Sequence, residues 1–341
     1  MKKVLVFVLV LAMAAMAFVG CTQNNASKIG ATIYRFDDNF MSYVRQNMTA
    51  FGEQLELELD IQDSQNDQAK QGEQVELFLS QGVGSLAINL VDPQAASTII
   101  KLAKEEDVPV VFYNKEPDQA DMQSYDKCWY VGTNSAQSGI IQGEMIAAAW
   151  AANPEWDRNG DGVMQYVMLK GEPGHPDAEA RTTFSIQAVT EAGIQVEELA
   201  IDTAMWDTQQ ANDKMAAWYS KFGEQIEFVV CNNDGMAIGV INALQSEGYF
   251  DGDKFMPVVG VDAIPEALDL IESGKLVGTV LNDALNQAKA TVELAANAAK
   301  GMEDPTEGTS WTLDEKKAVR VDYVGILLEN IDVAKECYGL K

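Results

Sequence analysis

The chain has 341 residues, 47% of them hydrophobic, which is enough to build sizeable cores in two domains or one large one. Its 52 acidic against 24 basic residues give a formal net charge of −28. A surface this acidic repels phosphate backbones and no Lys/Arg cluster offsets it, which argues against nucleic acid as a partner.

Lys2 and Lys3 precede the apolar run Val4 to Val19, which closes on Gly20 before Cys21, the pattern of a signal segment over residues 1–20. An apolar run of about 16 residues is short for a spanning helix. A small residue followed at once by cysteine resembles the lipobox of bacterial lipoproteins. It implies a lipid on Cys21, a polar tether over 21–28, a periplasmic location and membrane contact only through that lipid. Phe18 stands where the motif usually has Leu, which leaves an ordinary cleaved signal or a retained anchor as alternatives. Cys128, Cys231 and Cys337 are widely spaced and imply no disulfide framework.

From Ile29 onward strand and helix patterns alternate. Ile29–Tyr34 reads as a strand, and the helix after it carries Phe40, Val44, Met48 and Phe51 on one stripe. Ser85–Val91 is a strand, Asp92 and Pro93 supply the N-cap and first-turn proline of a helix through Lys104, and Val108–Tyr113 is the next strand. Further strands are expected at 165–170, 196–201, 226–231, 257–261 and 276–280, with helices ending at Gly193, Gly248, Gly274 and Gly301. This alternation predicts an α/β protein with parallel sheets covered by helices on both faces. Ten or more strands suit two smaller sheets facing each other better than one.

The segment Gly171–Thr183 holds the only histidine. A helix entered at Pro176 aims His175, Asp177 and Arg181 near its first turn, just beyond the buried strand pattern Met164–Lys170, where open α/β sheets bind ligands. Taken alone, Asp177 and Arg181 read equally well as an exposed i,i+4 pair. Short polar residues recur after the other strands as well: Asp37 and Asp38, Asn114, Asn232 to Asp234, Asp262, then Asn282 and Asp283. Turn chemistry explains any one of them, but five clusters on one edge line a crevice with fixed donors and acceptors. Phe40 and Trp206 add flat apolar walls. A pyranose, with two C–H faces and a rim of hydroxyls, needs that combination.

Asp157, Asn159, Asp161 and Gln165 bear side-chain oxygens at positions 1, 3, 5 and 9 of a loop with glycine at 6 and the Val163 carbonyl at 7. These are the first nine residues of an EF-hand loop, but Met168 stands where its bidentate Glu would be.

The stretches Ala31–Phe40, Gly171–Thr183, Asp202–Thr208 and Gly278–Asp283 closely resemble the galactose/glucose-binding branch of the type I periplasmic sugar-binding proteins, which serve methyl-galactoside ABC importers. The resemblance runs from Lys28 to Val324. It implies a two-lobed clamp of doubly wound sheets joined by a three-stranded hinge, with residues 29–132 and 283–318 in one lobe and 133–282 and 319–341 in the other. It places the sugar's hydrogen-bonding partners at Asp38, Asn114, His175, Asp177, Arg181, Asn233, Asp262 and Asn282, and its stacking partners at Phe40 and Trp206. It supplies the missing carboxylate of the metal loop as Glu227, for a structural Ca2+. The implied function is binding of D-glucose and D-galactose without catalysis, with delivery to an ABC permease. A chemotaxis receptor reading the closed form is the alternative partner, another monosaccharide the alternative ligand, and a freely closing clamp favours a monomer.

Enzyme classes fare poorly against the residues. Asp177 and Asp262 could flank a glycosidic bond, but Arg181 one turn from Asp177 favours an ionised acceptor over an acid. No Gly-x-Ser-x-Gly elbow or phosphate-binding loop is present. A sugar-responsive repressor of the same clamp fold would begin with a DNA-reading helix-turn-helix, where this chain has a signal segment.

Overall fold

The computed structural model describes residues 27–340; the signal segment, Cys21 and most of the tether lie outside the described residues. In the first lobe the chain runs β1 (Lys28–Ile33), α1 (Asn39–Gln54), β2 (Glu58–Asp63), α2 (Gln68–Ser80), β3 (Ser85–Ile88), α3 (Ala96–Glu105), β4 (Val110–Tyr113), α4 (Gln119–Met122) and β5 (Cys128–Gly132). It continues through α5 (Ser135–Ala152), β6 (Val163–Lys170), α6 (Pro176–Glu191), β7 (Gln195–Thr203), α7 (Thr208–Phe222), β8 (Phe228–Cys231), α8 (Asp234–Ser246), β9 (Val258–Val259), α9 (Pro265–Glu272) and β10 (Thr279–Leu281). The remainder is α10 (Ala284–Ala299), β11 (Ala318–Arg320), β12 (Val324–Ile326) and α11 (Asp332–Cys337).

Two sheets result. The first has the order β11-β5-β4-β3-β1-β2 and the second β7-β6-β8-β9, with every pairing in them parallel. Both reverse direction beside their first strand, the switch point at which doubly wound sheets bind ligands. β10 joins the second sheet through the parallel bridges Val259–Gly278 and Asp262–Leu281 and pairs antiparallel with β12.

Strand alternation decides which residues enter which core. In the first lobe Ile29, Ala31 and Ile33 pack with Val44 and Met48 of α1 and Leu294 of α10, while Leu86 and Ile88 face Phe78 and Ile99 on the other side. In the second lobe Val167 and Leu169 face one cluster, and Met164, Tyr166 and Met168 the other. Helix α5 leaves the first lobe and lies directly on α6, where a Cβ on Gly143 would collide with the Ser185 carbonyl oxygen. The four expected C′ glycines hold their turns, with φ between 69° and 88°.

Three connectors cross between lobes: Thr133–Asn134, Asn282–Asp283 and Val321–Tyr323. These three passages form the hinge expected from the resemblance, built of short irregular segments. The expected boundary at 318/319 moves. Val319 pairs with Val131 and Arg320 with Gly132, so the first sheet keeps the chain through Arg320. Several expected strands are shorter than their apolar runs, notably 257–261 and 226–231, because ladder pairing ends before the apolar pattern does.

Candidate functional site

The carboxyl ends of the two sheets face each other across one narrow cavity, with free space of only about 30 Å³ between the side chains that line it. Asp38, Phe40, Asn114, His175, Asp177, Arg181, Trp206, Asn233, Asp262 and Asn282 all line it, joined by Tyr34 and Met41. Asn114 is half-buried and the other nine predicted residues are buried.

On the first lobe, Asp38 caps α1. Its Oδ1 accepts from the Met41 amide at 2.8 Å and its Oδ2 from the Tyr34 hydroxyl at 2.6 Å, so both oxygens are fixed before any ligand arrives. Asn89, at the end of β3, ties the neighbouring strand ends together. It accepts from the Tyr34 amide at 3.1 Å and donates to Asn114 Oδ1 at 3.1 Å. Asn114 sits at φ 63°, which turns the chain out of β4.

On the second lobe, His175 is the N-cap of α6, with Pro176 at the first helical position. Its Nδ1 accepts the Asp177 amide proton at 3.1 Å, which leaves the ring proton on Nε2. Burial first, and then the charges of Lys115 and Arg181, hold its pKa well below the usual imidazole range, so the ring is neutral. It meets Trp206 edge-on, with centroids 5.2 Å apart at 77°.

The Arg181 guanidinium is gripped on several sides. It donates to the Asn232 carbonyl at 2.8 Å, Tyr323 Oη at 3.1 Å, Ser138 Oγ at 3.3 Å and Asp177 Oδ2 at 3.4 Å, and stands 3.7 Å from Asp262 Oδ1. Tyr323 also accepts from Thr133 at 2.9 Å, so the same hydroxyl ties the site to two of the three crossing connectors. Asn233 caps α8 through Oδ1, leaving its amide nitrogen to donate. Asn282 donates to Asp262 at 3.2 Å.

Burial pushes Asp262 well above the usual carboxylate range, against the pull of Arg181 and Asn282, and pushes Asp234 behind it to about 7. A raised carboxyl is what a general acid requires, but Asp262 is held within 3.7 Å of Arg181 and accepts from Asn282 at 3.2 Å, and Asp177 is paired with the same guanidinium at 3.4 Å. What the ring offers is a set of fixed acceptors and donors with an indole wall.

A model of the periplasmic binding protein domain matches residues 29–303. The chain belongs to the periplasmic binding protein family. This periplasmic binding protein is 48% identical, over 97% of its length and 98% of the relative's, to the D-galactose/methyl-galactoside binding periplasmic protein MglB of Haemophilus influenzae. It is 26% identical to the ribose import binding protein RbsB of Salmonella typhimurium, over 86% of this chain and 92% of that one. An ABC transporter solute binding protein from Bacillus halodurans C-125 with bound myo-inositol superposes with a TM-score of 0.77 at 30% identity, covering 93% of this chain and all of that one. Relatives of this kind are solute-binding components of transporters, not enzymes.

Tyr34 is the site residue that pattern reading missed. It closes the first strand pattern and so reads as core, yet its hydroxyl reaches the cavity and fixes Asp38. Met41 is missed for the same reason, lying on the apolar stripe of α1.

The loop at Asp157–Gln165 stands apart from this cavity. Asp157 accepts from the Gly160 and Gly162 amides at 2.8 and 2.9 Å, Asn159 from the Asp161 amide at 2.8 Å, and Asp161 from the Val163 amide at 2.8 Å. These bonds curl the loop so that its oxygens point inward. Glu227, 1% exposed, accepts only backbone protons there, from Arg158 at 2.7 Å and Gln165 at 3.2 Å. Burial, and then neighbouring Asp157, raise its pKa. Among the described residues no three His, Cys, Asp or Glu side chains stand close enough together to hold a metal by themselves. A cation at this loop would therefore draw on amide and carbonyl oxygens too.

Proposed function

We propose that this periplasmic binding protein captures D-galactose and D-glucose between its lobes and delivers the hexose to an ABC permease by closing, with no chemical step. The observation that carries the reading is the convergence of ten residues from both lobes on a single buried cavity. Asp38, Asp177 and Asp262 accept from sugar hydroxyls. Arg181, Asn114, Asn233, Asn282 and the Nε2–H of His175 donate, and Trp206 and Phe40 cover the C–H faces. A ligand that touches both lobes favours the closed form by its differential contacts, and that form is what a permease or a chemotaxis receptor reads. Isothermal titration of the signal-less chain, freed of co-purified sugar by unfolding and refolding, tests this. Tight binding of both hexoses with no ribose binding supports it, and absence of hexose binding contradicts it.

A structural Ca2+ at Asp157, Asn159, Asp161, Val163, Gln165 and Glu227 belongs to the same reading. Its support is the buried Glu227 carboxylate beside Asp157, to which no side-chain cation donates among the described residues. A cation there would pin the loop to the start of β8. A lipid on Cys21 would hold the protein at a membrane facing the periplasm, and the mass of the mature chain tests for it.

A further inference from the structure

Lys115 follows Asn114 directly but does not line the sugar cavity, and it is 1% exposed. Its Nζ donates to the Val91 carbonyl at 2.9 Å and to Glu172 Oε2 at 2.6 Å, and stands 4.1 Å from the centre of the Tyr34 ring. Val91 and Tyr34 belong to the first lobe, whereas Glu172 lies in the turn between β6 and α6 of the second. A buried ammonium thus has its carboxylate partner on the opposite lobe.

When the lobes part, both charges return to water, and when they meet Lys115 is desolvated and Glu172 largely so. A complete buried pair adds little net stability, but one left without its partner is strongly penalised. The contact therefore forms well only when the lobes are fully home. Burial pulls the Lys115 pKa down and Glu172 opposes that pull, as expected for a cation that depends on its partner. A second bond crosses the cleft from Arg35 to the Met205 carbonyl at 3.1 Å, but the Arg35 side chain is 19% exposed and more open to screening than the Lys115 ammonium.

We propose that the Lys115–Glu172 pair is a closure latch, an ion pair between the lobes that sets how long the sugar-bound clamp stays shut without itself touching the sugar. The inference rests on the hexose-binding reading for its ligand. Opening must break the pair before the sugar leaves, so the latch acts on koff. Sugar enters the open form, in which the pair is already apart, so kon is insensitive to it. Neither residue lines the cavity, so the ratio of glucose to galactose affinity does not depend on it.

Stopped-flow tryptophan fluorescence with D-galactose and D-glucose tests this on the wild type, Glu172→Gln, Lys115→Met and the double variant. Glu172→Gln is nearly isosteric, and its side chain is 18% exposed, so the fold is retained. Each single substitution should raise koff about tenfold or more, as truncating one partner of a buried charge pair does, and leave kon and the sugar ratio unchanged. The double variant should be no worse than the poorer single, since the two sites act as one. Unchanged koff in both singles, or a shifted sugar ratio, overturns the latch. If the wild type binds neither hexose, the functional reading fails on its own, and the distance between labels on the two lobes of the sugar-free chain decides the latch instead. Loss of the short-distance population in Glu172→Gln supports it, and identical distributions overturn it.

Discussion

His175 Nδ1 accepts the backbone proton of Asp177 at 3.1 Å, so the sole imidazole of the chain caps the helix that carries Asp177 and Arg181 into the site. Protonation would place a hydrogen on Nδ1 against that amide and undo the cap.

A pH dependence follows from this contact. The folded-state pKa of His175 lies below that of the unfolded chain, about 6.5. As pH falls below that value the unfolded chain takes up a proton that the folded chain refuses, so this contribution to stability is present above about pH 6.5 and lost on acidification. His175→Asn keeps a capping acceptor and does not titrate. Between pH 7 and 5.5 the wild type should lose more Tm than the variant. Asp234 and Asp262, raised in the folded state, shift stability the opposite way but are common to both proteins. Parallel Tm curves would show that His175 carries no such linkage.

Asp38 serves both the ligand and helix α1. Asp38→Ala should weaken both hexoses by about 2 kcal/mol or more through lost charged hydrogen bonds, and cost about 1 kcal/mol of stability through the lost cap. Asp38→Asn can keep the cap and so isolates the first effect. Tyr34→Phe, which frees Asp38 Oδ2, should cost about 1 kcal/mol in affinity with little change in Tm. Titration and melting of the three variants check the separation, and unchanged hexose affinity in Asp38→Ala would remove it from the site.

Trp206 can be tested without being altered. It lies at φ 63° against Gly171, where a Cβ would run into the indole ring. Gly171→Ala should displace the ring and weaken hexose binding by about 1–3 kcal/mol, the usual cost of overpacking. Trp206→Ala should lose a similar amount through stacking. A wild-type dissociation constant in Gly171→Ala would mean that the indole position does not matter to the ligand.

Chelation should lower the melting temperature of the wild type and leave Glu227→Gln unaffected by it. At a cation concentration 100 times its Kd the expected contribution is about 2.7 kcal/mol. EDTA and calcium melts that superimpose for the wild type would count against the site.

Much of this was legible because the fold repeats one local rule. Short polar residues after apolar strands mark the carboxyl edge of each sheet, and Gly193, Gly248, Gly274 and Gly301 mark where helices stop. What escaped depends on pairing over long distances. β2 is a half-buried edge strand with the acidic sequence ELDIQD, and β11 has three residues that become a strand only beside β5. The grouping of the ten cavity residues came from the resemblance rather than from spacing, since Asp38 and Asn282 are brought together only by the crossing connectors. Lys115 and Glu172 carry no signal in a linear reading, because their relationship exists only when the lobes meet.

The most direct test of the clamp is small-angle X-ray scattering of the sugar-free chain with and without saturating D-galactose. A smaller radius of gyration is expected with galactose and no change with ribose. An unchanged radius with galactose, at concentrations where calorimetry shows it bound, would contradict closure as the event a permease reads.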